Sequence, residues 1–216
     1  MRFIVSLILF LSISVVYANQ GMLKVGSLSG DKYVGSYLQV FQDSTNKLTF
    51  GDILKRDSLF EQNSSDVPNL GVNNFNNWVK LQFVNETAHN HLILNISNPS
   101  IDRVKLYKIV NGQIDSIEFD LNGDLKERAV DHQFYTFDLF VPNNDTVTCY
   151  IKVNSVKQLL LPITICAEKP IISQILNFDL SSGFFIGIML TVLLYNLFIF
   201  LGVRDNHYLA FVHYIF

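Results

Sequence analysis

Residues 180–203 read LSSGFFIGIMLTVLLYNLFIFLGV, without a charge, between Asp179 and Arg204. As a helix rising about 1.5 Å per residue, the stretch reaches roughly 36 Å, enough to cross a ~30 Å hydrocarbon core with some tilt. The core helix of a soluble domain would carry a polar stripe. Here only Ser181, Ser182, Thr191 and Asn196 are clearly polar. Hydroxyls can bond back to their own helix, while Asn196 would favour a partner helix over lipid. The stretch therefore reads as a transmembrane helix. The residues before it lie on one side of a bilayer, and the residues after it on the other.

Immediately before the span, residues 168–179 read as a linker helix, with Pro170 in the first turn where its missing N–H is tolerated. No Gly/Ser hinge separates linker and span. Residues 37–167 have a different texture, with short alternating strands and turn residues between them. Trp78–Val84 sets Val79, Leu81 and Phe83 against Trp78, Lys80 and Gln82. His91–Ser97 sets Leu92, Leu94 and Ile96 against its other residues, and Arg103–Ile109 sets Val104 and Leu106 against Arg103, Lys105 and Tyr107. Asn111-Gly112 signals a type I′ hairpin into Gln113–Phe119, and Asn122-Gly123 a further turn. Gln133–Phe140 and Val147–Val153 come next, then Leu159–Cys166, where Pro162 argues for an edge strand or a bulge. Tyr37–Phe41 opens the series, and Thr49 with Asp52 three residues later resembles the cap of one short helical turn. Many short strands with no long helical period predict a mainly β fold, an antiparallel β-sandwich followed by the transmembrane helix.

At the other end, Met1–Ala18 has the parts of a secretory signal: Arg2, an apolar run from Phe3 to Val16, and Val16-Tyr17-Ala18 before a cleavage point. Residues 19–36 show little period and read as a loose leader. Export would put the sandwich where disulfides are permitted. Cys149 and Cys166, the two cysteines of the chain, either face each other across a hairpin or serve as small buried hydrophobes.

The 216 residues leave room for one ordinary domain besides the membrane part, and a net charge of −3 without a basic run argues against nucleic acid as a partner. No G-x-S-x-G, H-E-x-x-H, C-x-x-C or P-loop pattern occurs, so neither enzyme chemistry nor a cofactor is expected. His89 and His91 could offer two metal ligands, but such a pair is more often a solvated turn, and no metal is expected. Asn63, Asn85, Asn95 and Asn144 head Asn-x-Ser/Thr sequons. Trp78, Tyr107, Tyr135 and Tyr150 are strand aromatics that could stack on a sugar or pack inside the sandwich.

Asn98-Pro-Ser-Ile-Asp-Arg-Val-Lys-Leu-Tyr107 resembles the NP-x-x-D-x-V-x-LY stretch of the second extracellular domain type of seven-transmembrane receptors with diverse intracellular signalling modules (7TMR-DISM). Trp78-Val-Lys80 is similar to that domain's W-x-R/K position, and Leu159-Leu-Leu-Pro-Ile-Thr164 to its LSLPLTL strand. Leu194-Tyr-Asn-Leu-Phe-Ile-Phe200, with Arg204-Asp205 and Tyr208-Leu209, resembles the first membrane helix and adjoining loop of those receptors. The resemblance spans residues 37–216. It implies a jelly-roll-like sandwich binding a carbohydrate or other small molecule in the periplasm, ahead of a seven-helix region in a bacterial inner membrane. It also implies a cytoplasmic kinase, cyclic-dinucleotide synthase or phosphatase as output. Within the resembling motifs, Trp78, Lys80, Asp102, Arg103 and Tyr107 are the candidate ligand-binding residues. Asp102 and Arg103 have an alternative role in fastening the turn beside Pro99.

Residues 204–216 read as a cytoplasmic turn and the start of a second membrane helix. From Asn206 the chain could rise only about 16 Å as a helix, half the hydrocarbon thickness. The sequence is therefore expected to be part of a larger receptor, whose further membrane helices and signalling module would be partners of this region. The rival expectation is a membrane-tethered carbohydrate-binding module without transduction.

Overall fold

The computed structural model describes residues 22–26 and 32–215. The signal sequence expected at 1–18 lies outside the described residues. Ten strands form two sheets among the described residues. The strands are β1 (Leu23–Val25), β2 (Gln39–Asp43), β3 (Glu61–Gln62), β4 (Asn76–Asn85), β5 (His91–Ile96), β6 (Arg103–Val110), β7 (Gln113–Asp120), β8 (Tyr135–Phe140), β9 (Thr146–Asn154) and β10 (Ile163–Cys166). The larger sheet runs β3-β2-β4-β9-β6-β7, with β1 also on β4, and the smaller runs β10-β5-β8.

Alternation decides which side chains meet between the sheets. Val79, Leu81 and Phe83 of β4, Val104 and Leu106 of β6, and Val147, Cys149, Ile151 and Val153 of β9 point inward. They meet Leu92, Leu94 and Ile96 of β5 and Tyr135, Phe137 and Leu139 of β8 in one continuous core. Each buried aliphatic or aromatic side chain contributes about 1.5–3 kcal/mol relative to exposure. The antiparallel sandwich expected from the sequence is the fold observed. The Asn111-Gly112 turn has positive φ at both residues, 49° and 80°, as the tight β6–β7 hairpin requires.

Two local expectations are corrected, and the choice left open for the cysteines is decided. The leader is not loose throughout: β1 pairs in parallel with Phe83–Asn85 of β4, and Leu23 and Val25 are buried in the core. No disulfide joins the cysteines. Cys149 lies between the sheets, while Cys166 belongs to a separate cluster outside the smaller sheet. The expected strand 159–166 is shorter, because β10 begins after Pro162, with only an isolated bridge from Leu160 to Asn69 before it.

The chain leaves β10 into α2 (Glu168–Val203), after the one-turn helix α1 (Phe50–Leu54) earlier in the sequence. Linker and span form one uninterrupted helix of 36 residues. Its first turns lie on the outer face of the smaller sheet. Ile171 and Ile175, one turn apart, pack with Ile93, Phe134 and Cys166. The ring of Phe178 meets that of Phe134 at 4.9 Å, and His132 Nε2 lies 3.1 Å from Asp179. Beyond Asp179 the helix is apolar and exposed, with Leu180, Phe184, Phe185 and Phe198 among its open side chains. It is long and apolar enough to cross a membrane. Ser181, Thr191 and Asn196 each donate to a carbonyl four residues earlier. Arg204 ends α2 in the left-handed conformation at φ 57°, and α3 (Asn206–Ile215) folds back along it.

Candidate functional site

The site rests on the face of the larger sheet turned away from the core. The same alternation that buries Val79 and Ile151 presents Trp78 and Lys80 of β4, Tyr150, Lys152 and Asn154 of β9, and Arg103, Lys105 and Tyr107 of β6. Register sets them in rows across the strands. Trp78 opposes Lys152, which opposes Lys105, which opposes Glu118. Lys80 opposes Tyr150, which opposes Tyr107.

Residues 43–60 arch over part of this face. Asp43 starts the arch, accepting hydrogen bonds from the Thr45 hydroxyl and from the backbone N–H groups of Thr45, Asn46 and Leu48. Burial works to raise the Asp43 pKa, but these hydrogen bonds outweigh it and hold the carboxyl below its ordinary value. Thr49 and Asp52 then form a reciprocal capping box at α1, as the sequence pattern implied. The result sets Phe50 over Tyr107, with ring centroids 4.0 Å apart and planes 6° apart. Phe50 and Ile53 close a small second core with Phe60, Trp78 and Tyr150.

The remaining open part of the face is a cleft of about 370 Å³, within the size range of ligand pockets. Asn46 and Asn76 line one side, Lys152 and Asn154 the floor, and Arg103, Lys105, Tyr107 and Glu118 the other side. Arg103 Nε donates to Asp120 at 2.7 Å and Lys105 Nζ to Glu118 at 2.8 Å, and both pairs raise the pKa of the cation. Lys152 Nζ sits 5.5 Å from the Trp78 ring centroid, and among the described residues no carboxylate pairs with it. Two larger grooves lie beside the β2–β3 edge and the β6–β7 hairpin, without such a concentration of charge.

Of the candidates read from the sequence, Arg103 and Tyr107 line the cleft. Trp78 is 1% exposed and supports the floor from beneath instead of offering a ring face. Lys80 lies apart from the cleft, buried against both Asp57 carboxylate oxygens at 2.7 Å, with the Tyr150 hydroxyl donating to the same carboxylate at 3.0 Å. Burial and then this carboxylate push the Tyr150 pKa upward. Asp102 lies outside the cleft lining and accepts from the Val156 N–H at 2.9 Å, tying the start of β6 to the segment that follows β9. Tyr135 is enclosed in the core, its hydroxyl donating to the Ile101 carbonyl. His91 lies 3.1 Å from Asp138, and the described residues hold no group of three metal-type ligands. Two sequons fall at Asn85 and Asn95, both fully buried in the folded domain.

Lys105, Glu118, Lys152, Asn154, Asn46 and Asn76 were not singled out from the sequence. The outward positions of β6, β7 and β9 follow from alternation once their inward faces are known. Nothing local places Asn46 beside strands that lie 30 residues or more further along the chain.

The family model of 7TMR-DISM extracellular 2 matches residues 35–167. No curated protein matches the chain. Among solved structures, that of TmCBM61 in complex with β-1,4-galactotriose aligns with a TM-score of 0.35 and 11% identity, over 65% of this chain and 97% of that one.

Proposed function

The chain belongs to the 7TMR-DISM extracellular 2 family, and from that premise we propose that it is the ligand-sensing portion of a bacterial receptor in the inner membrane. Its sandwich stands in the periplasm and binds a carbohydrate or other small molecule in the outer-face cleft. Binding shifts how the sandwich seats on α2, and α2 carries that shift into the membrane. The observation that supports this reading is the continuity of α2. Its first turns are packed on the outer face of the smaller sheet through Ile171 and Ile175, and its remainder is the candidate span. A helix without a break passes a tilt or rotation along its length, whereas a flexible linker would dissipate it. A ligand can shift such an equilibrium only by its different affinity for the two seatings.

The test is a sugar and metabolite screen on the full chain in lipid nanodiscs, read as a thermal shift, then hydrogen exchange with any hit. The reading expects a ligand that raises the melting temperature and changes exchange in residues 168–179. A ligand that stabilises the sandwich but leaves 168–179 unchanged would contradict it and favour a tethered binding module.

A further inference from the structure

Building on the sensor reading, we infer that the outer-face cleft takes a sugar bearing a single negative charge, with Lys152 as its charge partner. The cleft holds three cations, and two are already committed. Arg103 is paired with Asp120 and Lys105 with Glu118, each carboxylate directly opposite its cation on β7. Lys152 is the cation left over. Register fixes it between Trp78 and Lys105, and its ammonium lies 5.5 Å from the Trp78 ring. A ring face attracts a cation without neutralising it, so the charge remains available to an anion entering the cleft.

The rest of the lining describes what carries that anion. The side-chain amide nitrogens of Asn76 and Asn154 are anchored to the carbonyls of Asn46 and Phe75, each at 3.2 Å. This orientation leaves their amide oxygens as fixed acceptors suited to hydroxyl donors. Stacking is not the recognition mode, because Trp78 is buried and Phe50 already covers Tyr107. Binding must therefore be polar, through hydroxyls and charge. Glu118 and Asp120 stand beside the same cleft, so a dianion such as a phosphate monoester would meet two carboxylates with one spare cation. A singly charged group, whether a uronate carboxylate or a sulfate ester, fits the balance.

The test titrates the full chain in nanodiscs with D-glucuronate, D-glucose 6-sulfate and D-glucose by calorimetry. At least one charged sugar should bind at least about tenfold more tightly than glucose, and the preferred one identifies the anion as carboxylate or sulfate. Lys152→Gln should reduce the charged sugar to the affinity of glucose, Lys152→Arg should retain most of the binding, and Lys126→Gln, at an exposed position outside the cleft lining, should change nothing. An unchanged urea midpoint in Lys152→Gln would establish that the fold is intact. Glucose binding as tightly as the charged sugars, full affinity in Lys152→Gln, or no binding of either charged sugar would overturn the inference. A neutral ligand that alters exchange in 168–179 would overturn it while leaving the sensor reading in place. A charged sugar that binds through Lys152 without altering 168–179 would do the reverse.

Discussion

Asp43 makes a loop into a wall of the cleft, by accepting four hydrogen bonds from residues 45–48. Its folded pKa lies below the unfolded value of about 3.9, so its stabilisation is fully present above that pH and is lost as pH falls through the lowered folded value. Asp43→Ala is expected to cost roughly 1–3 kcal/mol near neutrality, because it orphans donors in a partly buried turn. Urea midpoints measured from neutral to acid pH should show the difference between the two proteins shrinking in the acid range. A constant difference would assign the effect to packing. Phe50 invites a second substitution at this scale. Trp78 is the one tryptophan in the chain and is covered by the α1 segment. Phe50→Ala should shift its emission to the red while the inter-sheet core stays folded. An unshifted spectrum would mean that Phe50 does not shield the floor. These residues also mark where sequence reading stops. Arg103 and Tyr107 were found through a motif, but Trp78, the most conspicuous aromatic, proved to be support. A ring's value as a platform depends on what covers it, and Phe50 lies 28 positions away in the sequence.

The strands were legible because a buried face imposes period two. The inward sets of β4, β5 and β6 read from the sequence are found between the sheets. β1 was not legible: three residues have too little period to declare a strand, and its partner lies far along the chain, with Leu23 opposite Phe83. The linker was legible as a helix, but its seat on the smaller sheet was not, since that contact depends on Ile93 and Phe134 from other elements. This seat should respond to substitution in a way that separates it from the core. Ile171 is fully buried, and Ile171→Ala should cost about 2–5 kcal/mol of local packing. Hydrogen exchange should then accelerate in residues 168–179 while β4 and β9 keep their protection. Equal acceleration throughout would show that the seat and the inter-sheet core unfold as one unit. The neighbouring His132–Asp179 pair has an exposed carboxylate, so Asp179→Asn, which leaves the His132 ring in place, should change stability by at most about 1 kcal/mol.

At the scale of the whole molecule, two apolar clusters lie on opposite faces of the smaller sheet, and the outer one seats α2. The inter-sheet core holds the sandwich, the cluster around Ile171 and Ile175 holds α2 to it, and α2 continues as the candidate span. The central claim is that, without ligand, the sandwich holds one defined seating on α2 and that α2 carries it without a hinge toward the membrane. Distance measurements between nitroxides on Ser116→Cys, in β7, and Leu180→Cys, on the exposed part of α2, test it in nanodiscs. The native thiols are buried, and burial pushes Cys149 up to about 12, so labelling should favour the introduced sites. Rigid coupling predicts a single narrow distance distribution that broadens when two glycines are inserted after Asp179. A distribution already broad in the native sequence, and unchanged by the insertion, would contradict it.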